Sequence, residues 1–324
     1  MNFFHEMGLT SSPDLTILTP EKATMRDLLL AHTPEYVSYV AKLAERGSPY
    51  DFETPVSKKI YEALLFMIGG AINVGDAVHA GEVSRAAVIG GGFHHAGEDF
   101  GGGFCLFNDV AILTRHLQKR RHMKKVLIVD YDVHAGNGTS DIFYYDPTVL
   151  FVDLHQDPRT LFPGTGFIEQ VGADEGFGHI VNIPLPPGTS DETYLNAFDE
   201  IVEPLASEFK PDIILANGGG DAHFTDSLGD LNLTADGFFR LSKKLSKISE
   251  KVCGGRLILM LASGYNKFLP LCWYALICGM TEIESIPVKE PFNPGQEPSI
   301  NRKIVERTLS DLKSILKEVW SCFR

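Results

Sequence analysis

The sequence predicts an α/β fold built on a mostly parallel central sheet flanked by helices. Two observations support this prediction. Short apolar runs alternate along the chain with segments of helical periodicity. The runs are apolar at consecutive positions, as expected for parallel strands that helices cover on both faces. The predicted strands are Ala86–Gly90, Val126–Asp130, Val149–Asp153, Asp212–Ala216 and Arg256–Ala262.

Helices are predicted where apolar residues recur at three- and four-residue spacing. The two clearest patterns are Leu241, Leu245, Ile248, Val252 and Val305, Leu309, Leu312, Leu316, Val319. Ser190, followed by two acidic residues, is expected to be the N-cap of a helix that reaches toward Phe209. The Pro-rich stretch Pro287–Pro298 is expected to be a surface loop. Because no repeat or linker interrupts this order, residues 1–324 are expected to form a single domain.

Composition argues against several classes of function. Lys and Arg number 29 against 42 Asp and Glu, which gives a net charge of −13. We therefore expect no direct nucleic-acid binding and no attraction to anionic membranes. The five cysteines form no CxxC pair and do not suggest a disulfide framework. The N-terminus lacks a signal-peptide pattern, and the apolar stretches Ala63–Val78 and Phe268–Met280 are short or interrupted. We expect a cytoplasmic protein, with its oligomeric state open.

Polar residues cluster just after the predicted strands. The clusters are His94-His95, Asp130-Tyr-Asp132-Val-His134, Asp153-Leu-His155, Asp221-Ala-His223 and Gly264-Tyr265. In open α/β sheets, ligands bind outside the carboxyl ends of the strands. The sequence therefore predicts one site at this edge of the sheet.

Asp132, His134 and Asp221 have the composition of a metal site. Asp132 and His134 stand two residues apart, so their side chains point the same way on an extended strand end. Two carboxylates and one imidazole leave a coordination position for water, which is typical of catalytic zinc and also suits Fe(II). The alternative is that the two aspartates cap helices and that His134 is a core histidine.

His94, His95 and Tyr265 are candidates for proton transfer and charge stabilisation. Hydrolysis at a metal needs a base for the water proton and an acid for the leaving amine, and imidazole serves as both near neutral pH. Asp130 and Asn137 are available to orient the two rings. The phenol of Tyr265 would reach an oxyanion opposite the metal. For the two histidines, the alternatives are a pair of ligands or two exposed residues in a turn. For Tyr265, the alternative is a packed core tyrosine.

The glycine runs do not predict nucleotide binding. Gly90–Gly92, Gly101–Gly103 and Gly218–Gly220 match neither the dinucleotide nor the P-loop pattern. Such glycines let backbone approach a narrow pocket closely. Phe104 and Phe162, each near a glycine, are candidate walls of that pocket, with ordinary core packing as the alternative.

Five segments together resemble the histone deacetylase superfamily, including its acetoin-utilisation-like and acetylpolyamine amidohydrolase members. They are GGGFHHAGEDFGGGFCLFNDVAI (Gly90–Ile112), VLIVDYDVHAGNGT (Val126–Thr139), LFPGTGF (Leu161–Phe167), GGGDAHFTDSLGDLNLT (Gly218–Thr234) and SGYN (Ser263–Asn266). The match runs in order from about Phe93 to Met280, and HTPEYV (His32–Val37) fits the family's N-terminal helix.

This resemblance implies the arginase–deacetylase fold and hydrolysis of an N-acetyl amide at one zinc ion. By motif position, the metal ligands would be Asp132, His134 and Asp221, and the catalytic residues would be His94, His95 and Tyr265, with His95 as the proton shuttle. The substrate channel would be lined by Gly103, Phe104, Phe162 and Leu228. A structural K⁺ or Na⁺ would be held by Asp130, Asp132, His134, Asp153 and Leu154.

The chain departs from the family's pattern at three places. Asn137 stands where some members have Asp, so a neutral residue would orient His95. Asp153 replaces a hydroxyl residue near the expected inner cation. The N-terminal loop matches poorly, and either Asp51 or Glu53 would be the carboxylate that grips the substrate backbone.

Leu228 bears on the choice of substrate. Acetylpolyamine-selective relatives can carry an acidic residue at this position, and an apolar one favours an acetyl-lysine side chain. The net charge of −13 favours polyamines instead, so both substrates stay open. Two rival functions are a binuclear manganese amidinohydrolase and an inactive module that binds acetylated ligands. The first is disfavoured because Asp221-Ala-His223 lacks a further Asp, and the second because no candidate catalytic residue is missing.

Overall fold

All strands of the described chain join one parallel sheet. The computed structural model describes residues 2–13, 15–281, 290 and 292–324. The strands are β1 (Arg85–Ile89), β2 (Val126–Asp130), β3 (Val149–Gln156), β4 (Ile180–Leu185), β5 (Ile213–Gly218) and β6 (Leu257–Leu261). Their order in the sheet is β1-β6-β5-β2-β3-β4, and every neighbouring pair is parallel. The fold class predicted from the sequence is confirmed.

The five predicted strands are present, and the sequence analysis missed a sixth. Strand β4 lies at the edge of the sheet, and its sequence IVNIPL contains Asn182 and Pro184. These residues weaken the apolar pattern, and proline is tolerated in an edge strand because one side of its backbone needs no ladder partner. Strand β3 also runs three residues beyond Asp153, so Leu154 and His155 lie within the strand rather than after it.

Helices cover both faces of the sheet. They are α1 (Asn2–Glu6), α2 (Met25–Leu28), α3 (Pro34–Arg46), α4 (Lys58–Ala80), α5 (Asp109–Arg121), α6 (Asn137–Phe143), α7 (Asp191–Phe209), α8 (Ala235–Cys253), α9 (Leu269–Met280) and α10 (Asn301–Leu316). Leu127 and Val129 of β2 pack in one core with α7 to α10. Val126 and Ile128 of the same strand face the other core, with α3, α4 and α5. This alternation is the physical reason for continuous apolar runs in the strands.

Helix α4 is longer than the apolar stretch noted in the sequence. Its 23 residues make it the one helix of the described chain that is long and apolar enough to cross a membrane. The helix packs closely in the core, because a Cβ on Gly75 would come within 2.6 Å of Leu113 in α5. A Cβ on Gly69 would lie only 1.8 Å from the carbonyl oxygen of Glu21. Long apolar helices in protein cores meet the same length and composition criteria as membrane spans.

Helix α7 begins as predicted, but Ser190 does not cap it with its side chain. Ser190 occupies the N-cap position with extended backbone. Its hydroxyl instead donates to Glu297, 2.7 Å away. Glu297 belongs to the predicted loop Pro287–Pro298, whose residues 287–289 and 291 lie outside the described chain. The described part of that loop contains no helix or strand and anchors the N-terminus of α7.

Candidate functional site

A row of buried polar residues crosses the carboxyl half of the sheet. Asn182, Asp153, Asp130 and Asn217 are register neighbours on β4, β3, β2 and β5. Each is at most 2% exposed. Asn217 Nδ2 donates to Asp130 Oδ2 over 2.8 Å, so Asp130 has a firm partner inside the sheet. The row forms the floor on which the loops after the strands place their side chains.

Asp132, His134 and Asp221 converge above this floor. Their potential ligand atoms all lie within 4.8 Å of one another. Nδ1 of His134 is 3.1 Å from Oδ1 of Asp132 and 3.4 Å from Oδ2 of Asp221. The backbone amide of His134 donates to Asp132 Oδ1 over 3.0 Å, and that of Val133 donates to Asp221 Oδ1 over 3.1 Å. Backbone hydrogen bonds thus orient both carboxylates before any cation binds.

The charges of this group fit a divalent cation. Burial, together with the nearby Asp132 carboxylate, raises the pKa of Asp221 to about 7. Burial opposes ionisation of Asp132 as well, but attraction to His94 and His134 holds its pKa well below the usual range. Two buried carboxylates this close repel each other unless positive charge lies between them. Two oxygens and one imidazole nitrogen are donors that zinc and Fe(II) accept.

His94 and His95 lie next to this group and have different partners. Nδ1 of His94 is 2.9 Å from Asp130 Oδ2, and Nδ1 of His95 is 2.7 Å from Asn137 Oδ1. The two Nε2 atoms are 3.2 Å apart. Burial opposes charge on His94, but Asp130 and Asp132 raise its pKa to about 9. Burial and the charge of His94 hold the pKa of His95 well below its usual value. The surroundings of the two rings therefore favour the charged form of His94 and the neutral form of His95.

A cavity of about 520 Å³ connects these residues with the surface. The side chains that line it include His94, His95, Asp132, His134 and Tyr265. Its mouth is formed by Phe104, Phe162, Leu228 and Glu53, which also line the cavity. Phe104 is 44% and Phe162 48% exposed, so these rings form an open aromatic rim rather than part of the core. The core-packing alternative for both rings is thereby contradicted.

Gly103 forms a part of the wall that only glycine fits. Its φ is +51°, and a Cβ built on it would lie 2.5 Å from Cδ2 of His95 and 2.9 Å from Cε1 of Phe162. The ring centroids of His95 and Phe162 are 5.0 Å apart in an edge arrangement. Because glycine has no side chain, the His95 ring can pack directly against the backbone of Gly103.

Tyr265 lines the cavity on a loop that Asp226 organises. Oδ2 of Asp226 accepts from the backbone amide of Tyr265 over 2.6 Å and from Nδ2 of Asn266 over 2.7 Å. Oδ1 of Asp226 accepts from the amide of Leu228 over 3.0 Å. Burial and the Asp132 and Asp221 carboxylates raise the pKa of Tyr265, so its hydroxyl keeps its proton. One carboxylate thus holds the backbone at both Tyr265 and the apolar rim residue Leu228.

The structure distinguishes the two carboxylates of the N-terminal loop. Oδ1 of Asp51 accepts from the backbone amides of Glu53 and Thr54, over 3.0 and 2.7 Å. Asp51 therefore stabilises its own turn. Glu53 is exposed and lines the mouth of the cavity. Of the two, Glu53 is the residue placed to contact a ligand.

The residues expected to hold an inner cation lie together, and Asp153 already has close neighbours. Oδ2 of Asp153 accepts from the amide of Gly136 over 2.8 Å, and its Oδ1 is 2.9 Å from Nδ1 of His155. Oδ1 of Asp130 accepts from the amide of Asp132 over 3.2 Å. The carbonyl oxygen of Leu154 is 3.3 Å from the Tyr194 hydroxyl. Burial opposes charge on His155, but the adjacent Asp153 carboxylate raises its pKa.

His223 does not extend the metal group. Its Nδ1 is 2.8 Å from Thr225 Oγ1, and its Nε2 is 3.1 Å from Glu290 Oε1. Within the described ranges, Asp132, His134 and Asp221 are the one group of three potential ligands with metal-site spacing. This arrangement gives no support to a second metal beside the first.

Sequence reasoning missed two residues that shape the site. Ser263 lies in the SGYN segment, and its hydroxyl contacts Asp132 and Asp221. Asp226 lies in the segment Gly218–Thr234, two residues before Leu228. Both residues lie in motifs that also carry other site residues, and this position in the sequence could have pointed to them. Their contacts span 131 residues for Ser263–Asp132 and 39 for Asp226–Tyr265, and no local pattern predicts such contacts.

The parallel sheet carries at its carboxyl edge a buried group with the spacing of a metal site, an arrangement typical of metal-dependent hydrolases. The model of the histone deacetylase domain family matches residues 2–280 of the chain. The chain belongs to the histone deacetylase family, and the resemblance noted in the sequence is confirmed.

Similar proteins come from archaea, bacteria and plants. The chain is 37% identical to a probable deacetylase of Archaeoglobus fulgidus, over 100% of this chain and 92% of the relative. It is 34% identical to the acetoin utilization protein AcuC of Bacillus subtilis, over 84% of this chain and 73% of the relative. The crystal structure of the HDA15 HD domain superposes with a TM-score of 0.87 at 28% identity, over 99% of this chain and 88% of that one. The arginase–deacetylase fold follows from these matches.

Proposed function

We propose that this enzyme removes acetyl groups from acetyl-lysine-type substrates, with zinc or Fe²⁺ held by Asp132, His134 and Asp221. The observation that carries the proposal is the convergence of this group with His94, His95 and Tyr265 in one cavity that opens at an aromatic rim. Residues 1–324 would act as a single catalytic domain in the cytoplasm. All five cysteines are free, as expected in a reducing compartment.

The bound metal would polarise the acetyl carbonyl and lower the pKa of a water molecule. Proton transfer falls to His95. Because Asn137 Oδ1 accepts a hydrogen bond, Nδ1 of His95 carries the proton and Nε2 offers a lone pair. Nε2 takes the proton of the attacking water and returns it to the leaving amine. His94, held by Asp130, places its Nε2 3.2 Å from that of His95, and burial together with the charge of His94 keeps His95 neutral and able to accept a proton.

Tyr265 supplies the hydrogen bond to the developing oxyanion. Its hydroxyl keeps its proton because burial and nearby carboxylates raise its pKa. The rim side chains Phe104, Phe162 and Leu228 would contact the methylene stem of the acyl-lysine, with Gly103 as the wall beside His95. A K⁺ or Na⁺ at Asp130, Asp132, His134, Asp153 and Leu154 would stabilise the floor of the site.

An acetylated polyamine is the second candidate substrate. Glu53 at the mouth and the net charge of −13 both favour a cationic amine. Against this, Leu228 offers no carboxylate to a secondary ammonium near the rim. A single charge pair is worth about 1–3 kcal/mol in discrimination, so the rim decides the preference only in part.

The test compares kcat/KM for an acetyl-lysine peptide with kcat/KM for N8-acetylspermidine. We expect a ratio above one for the wild type, and we expect Leu228→Glu to lower it. A wild-type ratio well below one would assign the enzyme to acetylpolyamines. The fluorogenic turnover of an acetyl-lysine amide also separates an enzyme from a binding module.

The metal assignment is tested by elemental analysis of the wild type and of Asp221→Asn. We expect one divalent metal per wild-type chain, and neither metal nor activity in the variant, because the amide replaces an anionic ligand. Asp199→Asn is the control, since the Asp199 side chain pairs with Lys244 on the outer helices. Two metals per chain, or tight metal in Asp221→Asn, would contradict the assignment.

A further inference from the structure

Ser263 contacts both carboxylates of the metal group with one hydroxyl. Its Oγ lies 2.7 Å from Oδ2 of Asp132 and 2.7 Å from Oδ2 of Asp221. The residue follows β6 by two positions and lines the cavity. Asp132 comes from the end of β2 and Asp221 from the end of β5, so Ser263 joins three strand ends at one point.

The backbone of Ser263 is held in place independently of its side chain. Its carbonyl oxygen accepts from the amide of Gly220 over 2.7 Å. A Cβ on Gly219 would lie 1.6 Å from that oxygen, so the two strand ends pack with no spare room. The fold therefore fixes the backbone of Ser263, from which the hydroxyl reaches both carboxylates.

The two short contacts place the Ser263 hydroxyl between the buried carboxylates of Asp132 and Asp221, whose negative charges repel each other. A hydroxyl has one proton and two lone pairs, so it donates to only one carboxylate at a time. At the second contact, two oxygens with lone pairs face each other at 2.7 Å. A cation bound next to these oxygens would remove that repulsion. Each Oδ1 is already hydrogen-bonded to a backbone amide, which leaves the two Oδ2 atoms as the ones that face Ser263.

We propose that Ser263 is a positioning residue of the metal centre, whose hydroxyl bridges Asp132 and Asp221 and holds their Oδ2 atoms at ligand spacing. This inference rests on the proposed function, because it assumes that these carboxylates bind the metal. Residues that orient metal ligands by hydrogen bonds typically contribute about 10–100-fold to metal affinity or activity. Ser263 differs from the backbone amides in that it couples the two carboxylates to each other.

The experiment measures the Kd for Zn²⁺ of the purified full chain by competition with a chromophoric chelator. Ser263→Ala and Ser263→Gly both remove the hydroxyl, and we expect each to weaken Zn²⁺ binding by about 10–100-fold. Ser263→Thr keeps the hydroxyl and should stay within about threefold of the wild type. The absorption spectrum of the Co²⁺-loaded protein is a second readout, since it reports the ligand geometry without any turnover.

Ser227→Ala is the matched control. Its hydroxyl donates to the carbonyl oxygen of Tyr265 on the same side of the cavity, and no contact joins it to Asp132 or Asp221 in the described chain. The Kd for Zn²⁺ should be unchanged in this variant. Less than tenfold weakening in folded Ser263→Ala and Ser263→Gly, or equal weakening in Ser263→Thr, would overturn the inference. A wild type that binds no Zn²⁺ would instead overturn the proposed function itself.

Discussion

At the scale of single residues, oxygen atoms that can only accept hydrogen bonds fix the orientation of the two histidine rings in the site. Asn137 Oδ1 accepts from His95, which assigns the imidazole proton to Nδ1. Asp130 accepts from His94, Asn217 and the amide of Asp132, which leaves little freedom in its carboxylate. These hydrogen-bond partners fix the tautomer of His95 and the direction of both imidazole rings.

Replacing Tyr265 with Phe removes the hydroxyl and keeps the ring at the rim. We expect kcat to fall by about 10²–10³-fold, the usual effect of losing one oxyanion donor. The metal content should stay at the wild-type level, because the phenol is not among the potential ligands. Steady-state kinetics with an acetyl-lysine peptide and elemental analysis check both parts. An unchanged kcat would limit Tyr265 to a structural role.

Gly103→Ala should impair catalysis by moving His95. The added Cβ would meet His95 at 2.5 Å, and small displacements of a catalytic group cost up to about 100-fold in rate. We expect kcat/KM to fall by about 10–100-fold. Gly47→Ala is the control, because its φ of +66° imposes similar backbone strain while nothing lies within 4 Å of the new Cβ. Equal activity in both variants would show that the channel wall tolerates a methyl group.

At the scale of elements, strand ends and helix starts bring distant segments together. The amide of Asn108, the N-cap of α5, donates to His32 over 2.9 Å, and the side chain of Asn108 donates to the carbonyl oxygen of Ala96 over 3.0 Å. The loop that carries His94 and His95 is therefore tied to a helix terminus. Asp109 adds to this by accepting from the amides of Gly92 and Phe93. The rigid helix α5 thus supports the loop before the site.

Two adjacent glycines of α4 should respond in opposite ways to alanine. In Gly69→Ala the Cβ would meet backbone at 1.8 Å, and overpacking of this kind costs about 1–3 kcal/mol or more in the free energy of unfolding. In Gly70→Ala the nearest atom is the Pro20 Cβ at 3.3 Å. There the helix propensity of alanine, worth about 0.8–1 kcal/mol, should leave stability unchanged or raised. Denaturant unfolding of both variants makes the comparison, and equal losses would refute it.

At the scale of the whole molecule, stability depends on buried groups that must keep one protonation state. His32 is 4% exposed and contacts the Phe107 ring, with centroids 5.3 Å apart. Burial lowers the pKa of His32 to about 4. Its Nε2 accepts the amide proton of Asn108, so adding a proton there would replace an acceptor with a donor. The folded protein therefore disfavours protonation of His32, whereas the unfolded chain allows it.

The free energy of unfolding should fall as the pH drops from about 6.5 to about 4, because the unfolded chain takes up the His32 proton first. The contribution of His32 is fully present above pH 6.5 and is worth about 3 kcal/mol, at 1.36 kcal/mol per pKa unit. His32→Gln keeps an acceptor and does not titrate, so its unfolding free energy should depend less on pH in this range. Denaturant titrations at several pH values measure the difference, and parallel curves for both proteins would contradict it.

Much of the fold and of the candidate site was predictable from local patterns. Apolar runs predicted five of the six strands in the described part of the chain, because burial on both faces leaves a continuous signal in the sequence. The residues after those runs, such as Asp132 and His94, could be grouped because parallel strands place their carboxyl ends at one edge. The family motifs then supplied roles for them. Strand β4 was not predicted because Asn182 and Pro184 interrupt its apolar pattern, which an edge strand tolerates.

Only the tertiary structure decided which atoms meet. It separated Asp51, which stabilises its own turn, from Glu53, which faces the cavity. It placed the hydroxyl of Ser263 between two carboxylates that lie 131 and 42 residues away along the chain. The sequence by itself determined most of the strands and the residue types at the sheet edge, since both follow from spacing along the chain. Contacts such as that of Ser263 depend on the packing of three strand ends in space, which no short segment of sequence specifies.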